Sequence, residues 1–379
     1  MSSYQDTLDN YQIQGRLRAL RTLPRAGSRF EIEGREYLNF SSNDYLSLSQ
    51  DERVKRAAAD AIFKWGTSAS ASRLVTGDLD IHSELETELA SYLGQESALV
   101  FGSGFLTNVG VLTSLAGRND QIFSDKLVHA SLIDGVQQSR ANHFRFKHND
   151  IEDLKRLMEQ NPSSAERIIV TESVFSMDGD KAPLTEIVQV ANHYNAILVV
   201  DEAHALGVFG SGLLSTITVQ PERLVIVGTL SKSLGSYGGF VACSNELRNY
   251  FINSARSFIY STGLPPSSCA AALEALRIIQ AKRLGGELLD RAKVFYLALD
   301  SLGEYLLPFE SQIIPLIVKD NQRSLELSQS LFQKGIICSA IRPPTVPENT
   351  ARLRFSINLA HTEEQLCRVA DEIVRVLVE

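Results

Sequence analysis

Cysteine is scarce and scattered. The four thiols, Cys243, Cys269, Cys338 and Cys367, form no C-x-x-C pair, so neither a zinc site nor a disulfide framework is supported. They read as reduced thiols. Basic charge is also in deficit: 37 Lys and Arg against 45 Asp and Glu leave a net charge of -8. A main nucleic-acid partner would want a basic face and is therefore excluded, with only local basic sites left open. No apolar run approaches the roughly 18 residues of a membrane span, and MSSYQDTLDNYQIQG lacks a basic n-region followed by an apolar h-region. No signal peptide and no membrane association are expected, and the cytoplasm is the expected compartment. A P-loop, internal repeats and low-complexity segments are likewise missing. What is present is an ordinary globular composition of 379 residues, 44% hydrophobic and 22% charged. That is enough chain for one large domain and a smaller one.

Residues 11 to 25 (YQIQGRLRALRTLPR) place Ile13, Leu17 and Leu20 at helical spacing with Arg16, Arg18, Arg21 and Arg25 around them, a pattern that predicts a basic amphipathic helix. A solvated face accounts for most of these arginines; contact with an anionic substrate is the functional alternative. FEIEGREYLNF predicts a hairpin, and Asn43 and Asp44 in SSNDYLSLS a turn. Strand and helix patterns then alternate. Ile81, Leu85, Leu89 and Leu93 form one helical face. Short apolar strands are predicted at Ala98 to Phe101, Gln121 to Ser124, Phe144 to Phe146, Arg167 to Thr171, Ile197 to Val200, Leu224 to Val227 and Phe240 to Cys243. This predicts an α/β fold, a large domain with a mainly parallel sheet flanked by helices. From about residue 285 come a helix, a strand at Ile313 to Val318, a helix ending at Gly335 and a strand at Ile336 to Ile341. A last helix follows, with Leu366, Val369, Ile373 and Val376 on one face, completing a smaller α+β domain. The expected divisions are 1–45, 46–284 and 285–379.

Three stretches carry chemistry. In GTLSKSLG (228 to 235), Lys232 follows the apolar run RLVIV and belongs in a turn at a strand's carboxyl end, where open α/β sheets bind ligands. A partly desolvated amine there can attack a carbonyl carbon, although a lone lysine is more often a surface residue. The strand ILVV ends in Asp201 of DEAH. A carboxylate at that point needs a cation, for which a metal is one candidate and a protonated pyridine nitrogen the better one, as at pyridoxal phosphate sites. FGSGFLTN (101 to 108) supplies a glycine turn into a helix N-terminus, suited to a phosphate. With Thr107 at the third glycine position it is no dinucleotide fingerprint. Thr229, Ser231 and Thr262 are hydroxyls that can complete such a cup, or ordinary turn residues. His129 in KLVHASL can stack on a flat cofactor or simply pack, and Ser176 in VFSMDGD can reach a ring substituent. AIRPPTVPENTARLRFS (340 to 356) reads as a proline-stiffened loop carrying Arg342, Arg352 and Arg354. One of these arginines suits bidentate capture of a carboxylate and the other two surface ion pairs.

Asn43 in SNDYL, SGF at 103 to 105, HASL at 129 to 132, SMDGD at 176 to 180, DEAH at 201 to 204, TLSK at 229 to 232, YSTGLPP at 260 to 266 and IRPPTVP with ARLR resemble the α-oxoamine synthases. These are pyridoxal-phosphate enzymes of fold type I, and the match spans nearly the whole chain. The IRPPTVP segment is similar to the biotin-pathway branch. That resemblance implies decarboxylative condensation of L-alanine with a pimeloyl thioester carried by coenzyme A or acyl carrier protein. A sister activity on glycine and a shorter acyl-CoA is the nearest alternative. Lys232 would hold pyridoxal 5'-phosphate as a Schiff base, Asp201 pair with the ring nitrogen, and His129 stack on the ring and meet substrate. Ser176 and His204 would serve the phenolic oxygen. Gly104, Phe105 and Thr229 would surround the cofactor, with Thr262 reaching its phosphate from a neighbouring subunit of a homodimer with shared active sites. Asn43 and Arg354 would orient the amino-acid carboxylate, and Arg21 and Thr345 touch substrate. The resemblance implies no metal. GTSASASRLVTG at 66 to 77 departs from the family in carrying less glycine, which bears on that loop's mobility.

Overall fold

The computed structural model describes residues 3–24, 27–218 and 222–378. They divide into two compact units, one of residues 1–47, 176–180 and 286–379, the other of residues 48–175 and 181–285.

The chain begins with a helix, Tyr4–Ile13, closed at its N-terminus by a capping box between Ser3 and Asp6. Among the described residues, the arginine-bearing helix predicted over 11–25 does not extend beyond Ile13. Gly15 sits at φ +63°, and the backbone leaves the helix there. Ile13 and Leu20 are exposed, so helical spacing in this segment had no core to face. Arg25 lies outside the described residues. Strands β1 (Arg29–Ile32) and β2 (Arg35–Asn39) form the predicted hairpin, with Glu33 and Gly34 both at positive φ in its two-residue turn. After β2, a turn runs from Asp44 to Ser47, closed by the Ser47 N–H on the Asp44 carbonyl at 3.0 Å.

Seven strands form the sheet of the second unit: β3 (Ser97–Phe101), β4 (Gln121–Asp125), β5 (Asn142–Phe146), β6 (Arg167–Glu172), β7 (Ile197–Asp201), β8 (Leu224–Thr229) and β9 (Gly239–Cys243). Their order is β3-β9-β8-β7-β6-β4-β5, parallel throughout except that β9 runs antiparallel to both β3 and β8. Leu198, Val199, Val200, Val225 and Val227 are wholly buried, as strands covered on both faces require. Because β4, β6, β7 and β8 are parallel, their last residues, Asp125, Glu172, Asp201 and Thr229, line one edge of the sheet. The helix Asp80–Leu93 buries Ile81, Leu85, Leu89 and Leu93 as its spacing predicts.

In the first unit, β10 (Ile313–Lys319), β11 (Ile336–Ile337), β12 (Ser339–Ile341) and β13 (Ala351–Ser356) complete the strands. The single strand predicted over 336–341 is broken at Cys338, since β11 pairs in parallel with β2 while β12 joins β13. Phe30, Tyr37 and Ile337 make a small core across the first of these pairings. ARLRFS is not a loop but the central strand of β10-β13-β12. Leu353 and Phe355 are fully buried, and the alternating Arg352 and Arg354 are nearly so. On the last helix, Glu363–Val378, Leu366, Val369 and Ile373 are buried, with Leu377 rather than Val376 completing the apolar face.

Candidate active site

Lys232 lies in the connection between β8 and β9. Leu230 and Leu234 are wholly buried and anchor that connection from below. The N–H of Gly235 closes on the Lys232 carbonyl at 2.9 Å, and the Leu230 N–H on Gly238 at 3.0 Å. Gly235 has φ +57°, and a Cβ there would come 2.3 Å from the Ser49 nitrogen, so the turn admits only glycine. Half-buried by this arrangement, the Lys232 Nζ lies 2.7 Å from His204 Nε2.

Asp201, at the end of β7, is fixed by two donors. The Ala203 N–H meets Oδ1 at 2.9 Å, and Asn108 Nδ2 donates to Oδ2 at 2.9 Å. The same amide nitrogen donates to Ser131 Oγ at 2.9 Å, and Ser131 Oγ lies 2.7 Å from His129 Nδ1. A polar chain thus runs from Asp201 through Asn108 and Ser131 to the His129 ring. His129 caps the helix Ala130–Ser139, its Nδ1 also accepting the Ser131 N–H at 3.2 Å and its backbone N–H donating to Glu172 Oε1 at 2.5 Å. The residue is exposed overall, yet its ring is held among buried groups. That desolvation outweighs Asp201 and, aided by the Lys232 cation, holds the imidazole pKa below its ordinary value.

Asn108 stands one turn along the helix Gly104–Leu115 from that helix's first residue. Ser103 caps the N-terminus by accepting the Leu106 N–H, which leaves the earlier N–H groups of Gly104 and Phe105 for a ligand. Thr229 closes in from the sheet: a Cβ on Gly104 would stand 3.3 Å from Thr229 Cβ. Thr229 Oγ1 donates to the Gly238 carbonyl at 2.9 Å and lies 2.8 Å from Ser231 Oγ. These groups form an anion cup with an exposed rim at Phe105 and Ser231. The second unit therefore gathers Gly104, Phe105, His129, Asp201, His204, Thr229 and Lys232. Thr262 lies on its surface, bridged to Ser72. The 66–77 loop is tied down where Ser72 Oγ donates to the Ile259 carbonyl at 2.8 Å and Arg73 meets the buried Glu86.

The other predicted residues fall in the first unit. Arg354 is 5% exposed and has no carboxylate partner among the described residues. Its Nε donates to the Ser176 carbonyl at 2.6 Å, and Nη1 donates to Ser356 Oγ at 2.7 Å and Asn43 Oδ1 at 3.2 Å. Nη2 is 3.4 Å from the Tyr45 hydroxyl. Burial pushes the Tyr45 pKa up, opposed by Arg354, so the phenol stays neutral and does not serve as counter-ion. Arg352, two residues earlier, has its counter-ion in Asp178 at 2.6 Å. Arg342 is half-buried with an unpartnered Nη1, its pKa lowered by burial and by Arg18. The exposed Thr345 accepts from Arg18 at 3.2 Å, and the Arg21 guanidinium stacks 4.0 Å over Phe332 rather than approaching Thr345.

Asn108, Ser131, Glu172 and Tyr45 are the members that sequence reading missed. Glu172 alone carried a visible signal, an acid ending an apolar strand as Asp201 does.

A family model described as aminotransferase class I and II matches residues 35–373. The chain belongs to that family. Among curated aminotransferase-family relatives, the 8-amino-7-oxononanoate synthase of Lysinibacillus sphaericus is 43% identical over 369 residues, spanning 96% of this chain and 95% of the relative. The synthase of the same name from Geobacter sulfurreducens is 41% identical over 376 residues, spanning 97% and 96%. Two solved structures share the fold. Serine palmitoyltransferase from S. paucimobilis with bound PLP and myriocin has a TM-score of 0.91 and 31% identity, covering 94% of this chain and 93% of that one. The 8-amino-7-oxononanoate synthase of Francisella tularensis has a TM-score of 0.75 and 28% identity, covering 90% and 98%. Within the second unit the donor set fits pyridoxal phosphate: an anion cup, a carboxylate for a ring cation, an amine, and a buried Asn108 Oδ1 that has no partner among the described residues.

Proposed function

We propose that the chain carries the 8-amino-7-oxononanoate synthase reaction of biotin synthesis. L-Alanine and a pimeloyl thioester become 8-amino-7-oxononanoate, carbon dioxide and the free thiol. What carries this reading is the placement of amine, carboxylate and anion cup along one helix and one sheet edge, in a chain similar over nearly its full length to synthases of that name.

When bound, pyridoxal phosphate supplies an electrophilic carbon for an amine and an electron sink for the pair left at the amino-acid Cα. The N–H groups of Gly104 and Phe105, with the Thr229 and Ser231 hydroxyls, would hold the phosphate. Asp201, held rigid by Asn108 and the Ala203 N–H, would hold a proton at the pyridine nitrogen. The His129 ring, pinned through Nδ1, would pack against the cofactor. The Lys232 amine would take the Cα proton, with His204 Nε2 as its hydrogen-bond partner at 2.7 Å. Arg354 grips the alanine carboxylate through its free donor capacity, with Asn43 holding the guanidinium in orientation. Ser176 would serve the ring's phenolic oxygen, and Arg21 and Thr345 would meet the acyl substrate.

The active form is a homodimer in which Thr262 of a second copy reaches the phosphate. Its exposure on the loop beside Ser72 supports that reading. Acyl carrier protein can serve as thiol carrier in place of coenzyme A, and the compartment is the cytoplasm; no helix among the described residues is long and apolar enough to cross a membrane.

Purified enzyme given L-alanine with pimeloyl-CoA, or glycine with acetyl-CoA, separates this reading from a sister synthase. Formation of 8-amino-7-oxononanoate by mass spectrometry, abolished in Lys232→Ala, is expected. Preference for glycine and acetyl-CoA overturns it.

A further inference from the structure

We propose that Glu172 is the positioning residue for His129: its carboxyl anchors the backbone from which the imidazole is hung, in register with Asp201 on the neighbouring strand. The inference rests on the pyridoxal phosphate reading of the site. Glu172 ends β6 and pairs with Asp201 at the end of β7, so both side chains leave the sheet on one face. Glu172 is 2% exposed, and its Oε1 accepts the His129 N–H at 2.5 Å. His129 is therefore held at two points, its backbone by Glu172 and its Nδ1 by Ser131. Asn108 then links Ser131 back to Asp201. The circuit Glu172, His129, Ser131, Asn108, Asp201 closes through the strand register, so the ring cannot shift without disturbing the carboxylate.

The charge state of Glu172 follows from its neighbours. Burial, Asp201 and Asp125 favour the neutral acid; Lys232 and the His129 N–H oppose them and are outweighed, so its pKa stands well above the ordinary value. Asp125 is itself fully buried and engaged by His148 at 3.0 Å and by the Leu127 and Asn149 N–H groups. A neutral Glu172 still accepts the His129 N–H through its carbonyl oxygen, and it leaves Asp201 without an anionic rival for a ring cation.

The test compares Glu172→Gln with Glu172→Ala. The Gln variant keeps an accepting oxygen and no charge, so it should rescue most of the cofactor affinity that the Ala variant loses and keep the shape of the pH profile of kcat/KM. The Ala variant should lose about 10-fold to 100-fold in pyridoxal phosphate affinity by equilibrium dialysis, as expected for one stranded buried donor. Two readouts do not involve the cofactor and so separate failure of this inference from failure of the cofactor reading. The amide resonance of His129 in histidine-labelled protein should persist in the Gln variant and move in the Ala variant. Infrared difference spectra at neutral pH should show a protonated carboxyl stretch lost in Glu172→Gln. A carboxylate stretch in its place overturns the proposal, as does an acid limb shifted by more than about half a unit in the Gln variant or an unmoved His129 amide in the Ala variant. If Glu172→Ala does not fold, the Gln spectra and profile still decide.

Discussion

Arg354→Lys is the sharpest test of substrate placement. The guanidinium is buried with neutral partners: three acceptors on Nε and Nη1 within 3.2 Å, and a single long contact to the Tyr45 hydroxyl on Nη2. A buried cation without a counter-ion is costly unless a ligand supplies one. Lysine would occupy part of the space but could not offer a forked pair of donors to a carboxylate while still reaching Ser176, Ser356 and Asn43. Each charge-assisted bond lost is worth about 1.5 to 3 kcal/mol, so breaking the desolvated pair should cost about 2 to 5 kcal/mol. That is a loss of roughly 30-fold or more in L-alanine affinity. The assay is titration of the holoenzyme with L-alanine, read by the change in cofactor absorbance, beside Arg352→Lys. The control touches an arginine whose counter-ion, Asp178, is already present, so it should lower the melting temperature and leave alanine affinity alone. If Arg354→Lys binds alanine within the roughly 0 to 1 kcal/mol expected of a surface pair, the carboxylate has been assigned to the wrong arginine.

Gly239→Ala should weaken pyridoxal phosphate binding by about 10-fold or more, because the new Cβ would stand 2.5 Å from both the Gly104 nitrogen and Thr107 Oγ1; unchanged affinity by dialysis would show that the cup lies elsewhere. Mixing Lys232→Ala with Thr262→Ala subunits should restore part of the activity that each lacks alone, and a fully active monomer in sedimentation refutes the shared site. His361, stacked on Phe40 with ring centroids 4.2 Å apart, has its pKa pushed down to about 4, by burial first. The unfolded chain takes up that proton from about pH 6.5 downward while the folded one resists until about 4. Stability should therefore fall across that window by up to about 3 kcal/mol; His361→Phe should flatten the slope in urea titrations at stepped pH, and an unaltered slope counts against the assignment.

The parallel sheet and the lysine turn were legible because buried strands announce themselves as short β-branched runs, and Lys232 and Asp201 each follow one. The arginines were harder. In β13 the alternation of Arg352 and Arg354 with Leu353 and Phe355 is a strand pattern, yet two arginines beside prolines read as a surface loop until Asp178 and Ser176 are seen to satisfy them. The N-terminal arm failed for the opposite reason: helical spacing was present in the sequence, but Gly15 turns the backbone away and little apolar surface waits beneath it. Asn108 could not be found by type, because its role depends on standing one turn above Gly104 and within reach of Asp201.

The pairing of β2 with β11 joins residues Leu38 and Asn39 to Ile336 and Ile337. A ribosome therefore releases the hairpin long before its sheet neighbour exists, and Phe30, Tyr37 and Leu38 must wait through almost the whole of translation without the contacts that cover them. Residues 48–285 supply everything the second unit contains and give up only the five residues 176–180 to the first, so the second unit can assemble on the nascent chain. The first unit is sealed only by the final stretch of synthesis. Premature termination anywhere after the sheet would leave a folded second unit attached to a sticky, unpaired N-terminus, a product suited to chaperone capture or degradation.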